Sequence, residues 1–300
     1  MFKLEIPLSV TSRKRGEYYK NWRLATKKTG RLMLFAGDQK IEHLNNDFFG
    51  KNIAKEDASP EHLFKIAATG DIGVFASQLG LIAQYGRHYS KIPYLVKLNS
   101  KTDLIPTSQK DPQSALLNTV AEVVAFKKNS GLKIVGVGYT LYPGSEFENI
   151  MLAQASRIIS AAHRAGLLTV LWIYPRGKAV KNDKDPHLAA GLTGIASCLG
   201  ADFVKISQPK NLTKASYAEI IQAAGKTGVI FSGGEATDPK KFLNNLETQI
   251  KNGARGNATG RNIHQKSLKE AVNFCQAISA VSLFNQTADK AYKFYLGHKK

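Results

Sequence analysis

The sequence predicts a single (β/α)8 barrel on three observations. Eight short apolar runs recur along the 300 residues, each followed by a stretch of helical spacing, at intervals of roughly 20–40 residues. Eight such units in about 250 residues is the size of a closed parallel barrel. The first run ends in Gly37-Asp38-Gln39-Lys40, which is not the glycine-rich turn that an open dinucleotide-binding sheet places there.

Each element has a local cause. Leu32 to Ala36 is a continuous apolar run stopped by Gly37-Asp38, as expected of a strand buried on both faces. Ser59 as N-cap, Pro60 and Glu61 open a helix that closes at Thr69-Gly70. Gly73 to Ser77 is the second strand, and Leu79 to Tyr89 a helix interrupted by Gly86. Tyr94 to Leu98 is the third strand and Ile134 to Leu141 the fourth, with a helix predicted between them over Ser114 to Lys128. Glu146 to Ala165 reads as an amphipathic helix closed by Gly166. Leu168 to Tyr174 and Phe203 to Ile206 are strands five and six, separated by a helix over Pro186 to Leu199. A helix over Lys214 to Ala224 leads to strand seven, Val229 to Phe231, and another over Pro239 to Asn252 to strand eight, Asn257 to Thr259, the weakest of the set. Residues 265–296 have mostly helical spacing. No linker rich in Pro, Gly or Ser divides the chain. It is therefore read as one domain: a basic arm over 1–30, the barrel over 31–265 and C-terminal helices over 266–300.

Composition narrows the function classes. An apolar fraction of 43% argues against disorder, and no apolar run approaches a membrane span or a signal peptide. Cys198 and Cys275 are too few for a disulfide framework, lack metal-ligand spacing and read as buried thiols of a reducing cytosol. A cytoplasmic protein is expected. The net charge of +19 steers anions, nucleic acids or phosphorylated metabolites, but the lysines are scattered and no Arg-rich run or aromatic RNA-binding signature accompanies them.

Chemistry concentrates between Leu171 and Lys205. Lys205 lies inside Phe-Val-Lys-Ile, where a buried amine either meets a carboxylate in the core or stays neutral as the nucleophile that imine formation needs. Lys97, near the end of strand three, depresses it further if the two amines approach. Trp172 and Tyr174, two apart on a strand, leave the same face. They are either a core aromatic pair or, with Tyr174 as proton carrier, part of the mouth. Asp38 is a carboxylate at the end of strand one or a helix N-cap, and Glu42 and His43 follow on its loop. Ser232-Gly233-Gly234 and Gly260-Arg261-Asn262 end strands seven and eight, where a barrel commonly grips phosphate. Glycines let backbone approach an anion and Arg261 adds a charged fork, whereas either motif alone is also an ordinary turn.

Taken together these segments resemble the archaeal-type class I fructose-1,6-bisphosphate aldolases, of the Schiff-base aldolase superfamily. The likeness rests on Gly37 to His43, Lys97 to Thr102, Gly138 to Glu146, Trp172 to Gly177, Gly200 to Lys205, Ser232 to Gly234 and Gly260 to Gln265, in the family's order. It implies a metal-free lyase of glycolysis and gluconeogenesis with no cofactor beyond an imine on Lys205. By motif, Tyr174 is the general acid/base, Trp172 a substrate-contacting neighbour and Asp38 the strand-one carboxylate. Ser232, Gly233, Gly234, Gly260 and Arg261 match the site for the C1 phosphate. His43, Lys97 and Arg176 are further substrate-binding candidates. The resemblance also implies sugar phosphates as the partners and a homo-oligomer; no membrane is expected from the apolar runs, and nucleic acid is not the expected partner. The sequence departs from the family at Lys40, where a glycine often stands. Two other readings stay open: a related aldolase, transaldolase or thiolase acting on another phosphorylated ketose, and a non-catalytic basic barrel that binds nucleic acid.

Overall fold

A computed structural model describes residues 4–42, 45–105 and 108–297. Its centre is a closed barrel of eight parallel strands: β1 Leu32–Ala36, β2 Val74–Gln78, β3 Tyr94–Lys97, β4 Ile134–Leu141, β5 Leu168–Ile173, β6 Phe203–Ile206, β7 Gly228–Ser232 and β8 Gly256–Thr259. Each strand pairs with its neighbours in sequence, and β8 returns to β1 with Leu32 opposite Gly256. That closure needs a glycine. Gly256 has φ +124°, and a Cβ there would sit 1.9 Å from the Leu32 carbonyl oxygen.

The period-two rule divides the strand residues between two cores. Leu32, Leu34, Ala36, Val74, Ala76, Val170, Trp172, Phe203 and Ile230 fill the barrel interior. Met33, Phe35, Phe75, Val96, Leu171, Val204 and Ile206 face the helix layer. Both sides are dry, so the strands read as unbroken apolar runs instead of alternating ones. The parity also fixes the chemistry: Lys205, two residues beyond Phe203, projects inward beside Trp172, its Cα partner on β5.

Ten helices longer than one turn are described. The first, α1 (Arg15–Ala25), belongs to the arm; α2 (Pro60–Thr69) and α3 (Leu79–Tyr85) follow β1 and β2. Next come α4 (Val120–Ser130), α5 (Glu148–Arg164), α6 (Pro186–Leu199), α7 (Lys214–Ala224), α8 (Pro239–Lys251), α9 (Leu268–Ser282) and α10 (Ala288–Gly297). The Ser59 hydroxyl accepts the Glu61 amide, the N-cap expected of α2. The helix predicted from Ser114 begins later. Thr119 and Glu122 form a capping box that starts α4, while Ala115–Leu116 pairs antiparallel with Asn99–Ser100.

The arm is a plug. Val10, Tyr18, Trp22 and Ala25 join the barrel-interior core, so α1 closes the N-terminal end of the barrel. Trp22 stacks on Phe203 at 5.2 Å, and Asn21 donates to the Gly166 carbonyl at 2.8 Å. Tyr18 donates to Asp202, which also accepts the Thr169 amide at 2.7 Å. The arm thus covers the N-terminal end of the barrel, and a large cavity lies at the C-terminal strand ends. Cys275 is buried as expected, but Cys198 is exposed on α6, because a helix alternates core and solvent faces every few residues. No described helix is long and apolar enough to cross a membrane.

Candidate active site

At the C-terminal strand ends lies a cavity of about 1050 Å³, with Asp38, Trp172, Tyr174, Lys205, Ser232 and Arg261 among its lining residues. Three strands and one loop bring the reactive groups together. Lys205 comes from β6, Trp172 and Tyr174 from β5 and its end, and Asp38 from the end of β1.

Lys205 is 5% exposed and carries its amine 5.1 Å from the centroid of the Trp172 ring. Burial pushes its pKa down. The carboxylates of Asp38 and Glu42 oppose the shift, while Lys97 and Arg261 add to it. Trp172 itself is 1% exposed and lies near two amines, since Lys97 Nζ stands 5.3 Å from the same ring. Tyr174, largely buried, has its phenol raised well above the ordinary range, first by burial and then by Asp38 and Glu42. Its hydroxyl therefore stays protonated near neutral pH.

Lys97 is fully buried and does not line the cavity. Its Nζ donates to Glu42 Oε1 at 2.9 Å and to the Asn99 carbonyl at 3.0 Å, and lies 3.9 Å from Asp38 Oδ2. It works from beneath the site, neutralising two carboxylates that would otherwise favour a protonated Lys205. Glu42, on the helical turn Gln39–Glu42 after β1, is thus a site residue that the sequence placed only on a loop. His43 lies outside the described residues.

At one end of the cavity are the two glycine segments. The Gly233 amide is committed to the Ala258 carbonyl at 2.8 Å, which leaves the Ser232 hydroxyl, the Gly234 backbone at φ +66° and Arg261 to meet an anion. Asn262 fixes this loop: it accepts the Thr237 amide at 2.9 Å and donates to the carbonyls of Gly233 and Glu235 at 3.0 and 2.8 Å. Gly260 cannot be replaced freely, because a Cβ would fall 1.9 Å from Gln39 Oε1 and 2.9 Å from the Ala36 carbonyl. Arg261 is 22% exposed; its guanidinium lies 3.8 Å from Asp47 Oδ1, and its Nε is buried with no hydrogen-bond partner among the described residues.

Lys40 points away from the mouth. Its amine donates to the carbonyls of Asp57 and Ala58 at 3.2 and 3.1 Å and sits 4.1 Å above the Phe48 ring. Phe48 stacks in turn on His264 at 4.7 Å, and His264 Nδ1 bonds Asp57 Oδ2 at 2.7 Å. This stack bolts the loop after β1 to the turn Arg261–His264, which carries Arg261.

The opposite end is also cationic. Arg176, on the loop after β5, pairs with Asp183 at 2.5 Å. Lys184 is pushed down by burial, with Asp183 opposing and Arg176 and Lys210 adding to the shift, so the three cations face one region. Lys184 and Lys210 were not singled out from sequence. Their only signal was a basic loop after strands five and six, where barrel sites lie. Among the described residues, no three His, Cys, Asp or Glu side chains converge as metal ligands. The arrangement offers an amine whose pKa is lowered by burial, a phenol, a carboxylate pair and cations at each end: the parts for imine chemistry on a phosphorylated carbonyl compound.

Known proteins similar to this chain are aldolases. The profile of the DeoC/LacD family aldolases matches residues 32–266. A Methanocaldococcus jannaschii protein described as fructose-bisphosphate aldolase/6-deoxy-5-ketofructose 1-phosphate synthase is 56% identical over 299 residues, covering 99% of this chain and 96% of its own. A solved fructose-bisphosphate aldolase from Slackia heliotrinireducens is 50% identical, covers 98% of this chain and 94% of its own, and superposes with a TM-score of 0.95. An archaeal fructose-1,6-bisphosphate aldolase, solved with its catalytic lysine covalently bound to the carbinolamine intermediate, is 30% identical, covers 89% of this chain and 99% of its own, and has a TM-score of 0.77. The chain belongs to the DeoC/LacD family aldolases.

Proposed function

We propose that this chain is a class I aldolase that cleaves fructose 1,6-bisphosphate reversibly to dihydroxyacetone phosphate and glyceraldehyde 3-phosphate, with Lys205 as the imine-forming residue. One observation carries the reading: a buried amine with a lowered pKa and a phenol held protonated line the same cavity of about 1050 Å³.

The neutral amine of Lys205 adds to C2 of the open-chain ketose, and its proton passes to the C2 oxygen, giving a carbinolamine. Tyr174 protonates that hydroxyl, which leaves as water. The products of this step are an iminium and a phenolate, each stabilising the other. The phenolate then takes the C4 hydroxyl proton. The C3–C4 bond breaks, its electron pair flows into the iminium, and glyceraldehyde 3-phosphate leaves an enamine on Lys205. Tyr174 returns its proton to C3. Water then adds to C2 with its proton passing to the phenolate, and collapse of the carbinolamine frees dihydroxyacetone phosphate. The iminium is the electron sink throughout, so the chemistry uses no metal.

Ser232, Gly234 and Arg261 grip the C1 phosphate, with Gly233 and Gly260 giving the backbone room to approach. Arg176, Lys184 and Lys210 meet the C6 phosphate. Asp38 faces the hydroxyls of the reacting carbons, and Trp172 supports the amine from below. The enzyme works in the cytoplasm, in glycolysis and gluconeogenesis, as a homo-oligomer.

The second product in the description of the M. jannaschii relative favours a second reading of the same site. Disconnecting 6-deoxy-5-ketofructose 1-phosphate between C3 and C4 gives dihydroxyacetone phosphate and a three-carbon ketoaldehyde. The same Lys205 enamine would be intercepted by an aldehyde that needs no C6 phosphate grip. A coupled assay with fructose 1,6-bisphosphate tests the primary reading. Wild-type protein turns over and Lys205→Met does not; full activity in the folded variant would end the proposal.

A further inference from the structure

We propose that the N-terminal end of the barrel carries a second anion site, a groove that binds a nucleoside polyphosphate. It is a cavity of about 670 Å³ between the C-terminal half of α1, the end of α2 and the entry to β3. Its rim is cationic: Lys20, Arg23, Lys28 and Lys91 line it, and none of them has an acidic partner among the described residues. The neighbouring Lys27 is paired with Asp71 and takes no part in the excess. Leu24, Ile72 and Pro93 supply an apolar floor.

Each property narrows the ligand. Like charges gathered without counter-ions raise the local potential and draw a polyanion. Helix α1 and helix α2 both end at the groove, and their carbonyl ends repel a bare anion that would need backbone donors. The side chains must do the gripping, and the floor must contribute a flat apolar contact. A base on the floor with its phosphates on the rim satisfies both demands. The volume fits a mononucleotide, since sites for small ligands run to about 300–1000 Å³. The turn that presents the rim departs from ordinary backbone geometry: Lys27 and Lys28 have φ of +46° and +65°, rare for residues other than glycine. Both lysines of that turn line the groove, Lys27 held by Asp71 and Lys28 without an acidic partner among the described residues.

The site lies at the opposite end of the barrel from Lys205, so peptide mapping separates the two. Photolabelling with an azido analogue of ATP should mark segments 20–31 or 87–95. Titration with the fluorescent analogue mant-ATP should weaken about tenfold or more in Lys20→Glu/Arg23→Glu/Lys91→Glu. The control Lys128→Glu/Lys214→Glu/Lys293→Glu makes the same change in charge elsewhere on the exposed surface and should lose about threefold or less, through the general field alone. Circular dichroism checks that both variants fold. Label confined to the catalytic mouth, equal loss in the two variants, or binding of single-stranded RNA with none of mant-ATP would each overturn the assignment.

Discussion

Lys97 gives the account a quantitative test. Its amine and that of Lys205 lie 5.3 and 5.1 Å from one indole centroid, so they are within about 10 Å of each other. At an effective dielectric of about 20, two unit charges about 10 Å apart repel by about 1.7 kcal/mol, so Lys97 disfavours the protonated form of Lys205 by that order. Lys97→Met removes the repulsion and leaves Asp38 and Glu42 to favour the ammonium, so both effects raise the Lys205 pKa. Below that pKa only the neutral fraction reacts. The acid limb of the pH profile for imine formation should therefore fall by about tenfold or more, since about 1.4 kcal/mol is a factor of ten. At high pH, where both proteins carry a neutral amine, the rates should converge. Glu42→Gln removes an anion instead and should move the limb the other way, toward faster reaction at low pH. The assay is the rate of borohydride-trapped adduct formation with dihydroxyacetone phosphate from pH 5 to 10. Superposed wild-type and Lys97→Met profiles, or shifts of the same sign in both variants, would refute the electrostatic argument.

Three other expectations concern separate parts of the molecule. Tyr174→Phe should still trap dihydroxyacetone phosphate but cleave fructose 1,6-bisphosphate about a hundred- to ten-thousandfold more slowly, as read by single-turnover kinetics. Arg261→Met should lose a charge-assisted contact of about 1.5–3 kcal/mol, raising KM about tenfold or more, while a non-phosphorylated ketone is little affected. Trp22→Ala should lower unfolding free energy by about 3–5 kcal/mol in denaturant titrations, because it empties the plug stacked on Phe203 without touching the mouth.

What the sequence could reveal followed from how locally each feature is encoded. Strands β1, β4 and β6 and helices α2, α6 and α7 carry their own boundaries in apolar runs, Pro at N1 and capping residues, and were legible to the residue. The side on which Lys205, Trp172 and Tyr174 meet followed from strand parity, which needs no tertiary knowledge. Ser114 to Asn118 misled because its apolar spacing mimics a helix, whereas Thr119-x-x-Glu122 marks the true start. The roles of Glu42, Lys184 and Lys210 were hidden for another reason. They sit on irregular loops whose course is set by packing, and nothing in the local sequence says which way such a side chain turns. Lys40 makes the point sharply: in sequence it is a cation beside the mouth, and in the fold the Phe48–His264 stack draws it to the other side. The arm's function as a plug was encoded in Tyr18 and Trp22, one helical turn apart, but what they cover became evident only with the barrel closed.

The most direct test of the central claim is borohydride trapping with dihydroxyacetone phosphate and with fructose 1,6-bisphosphate, followed by peptide mass mapping. A reduced adduct is expected from both sugars, on Lys205 and on no other lysine. An adduct elsewhere, or none from either sugar in a folded protein, would contradict it.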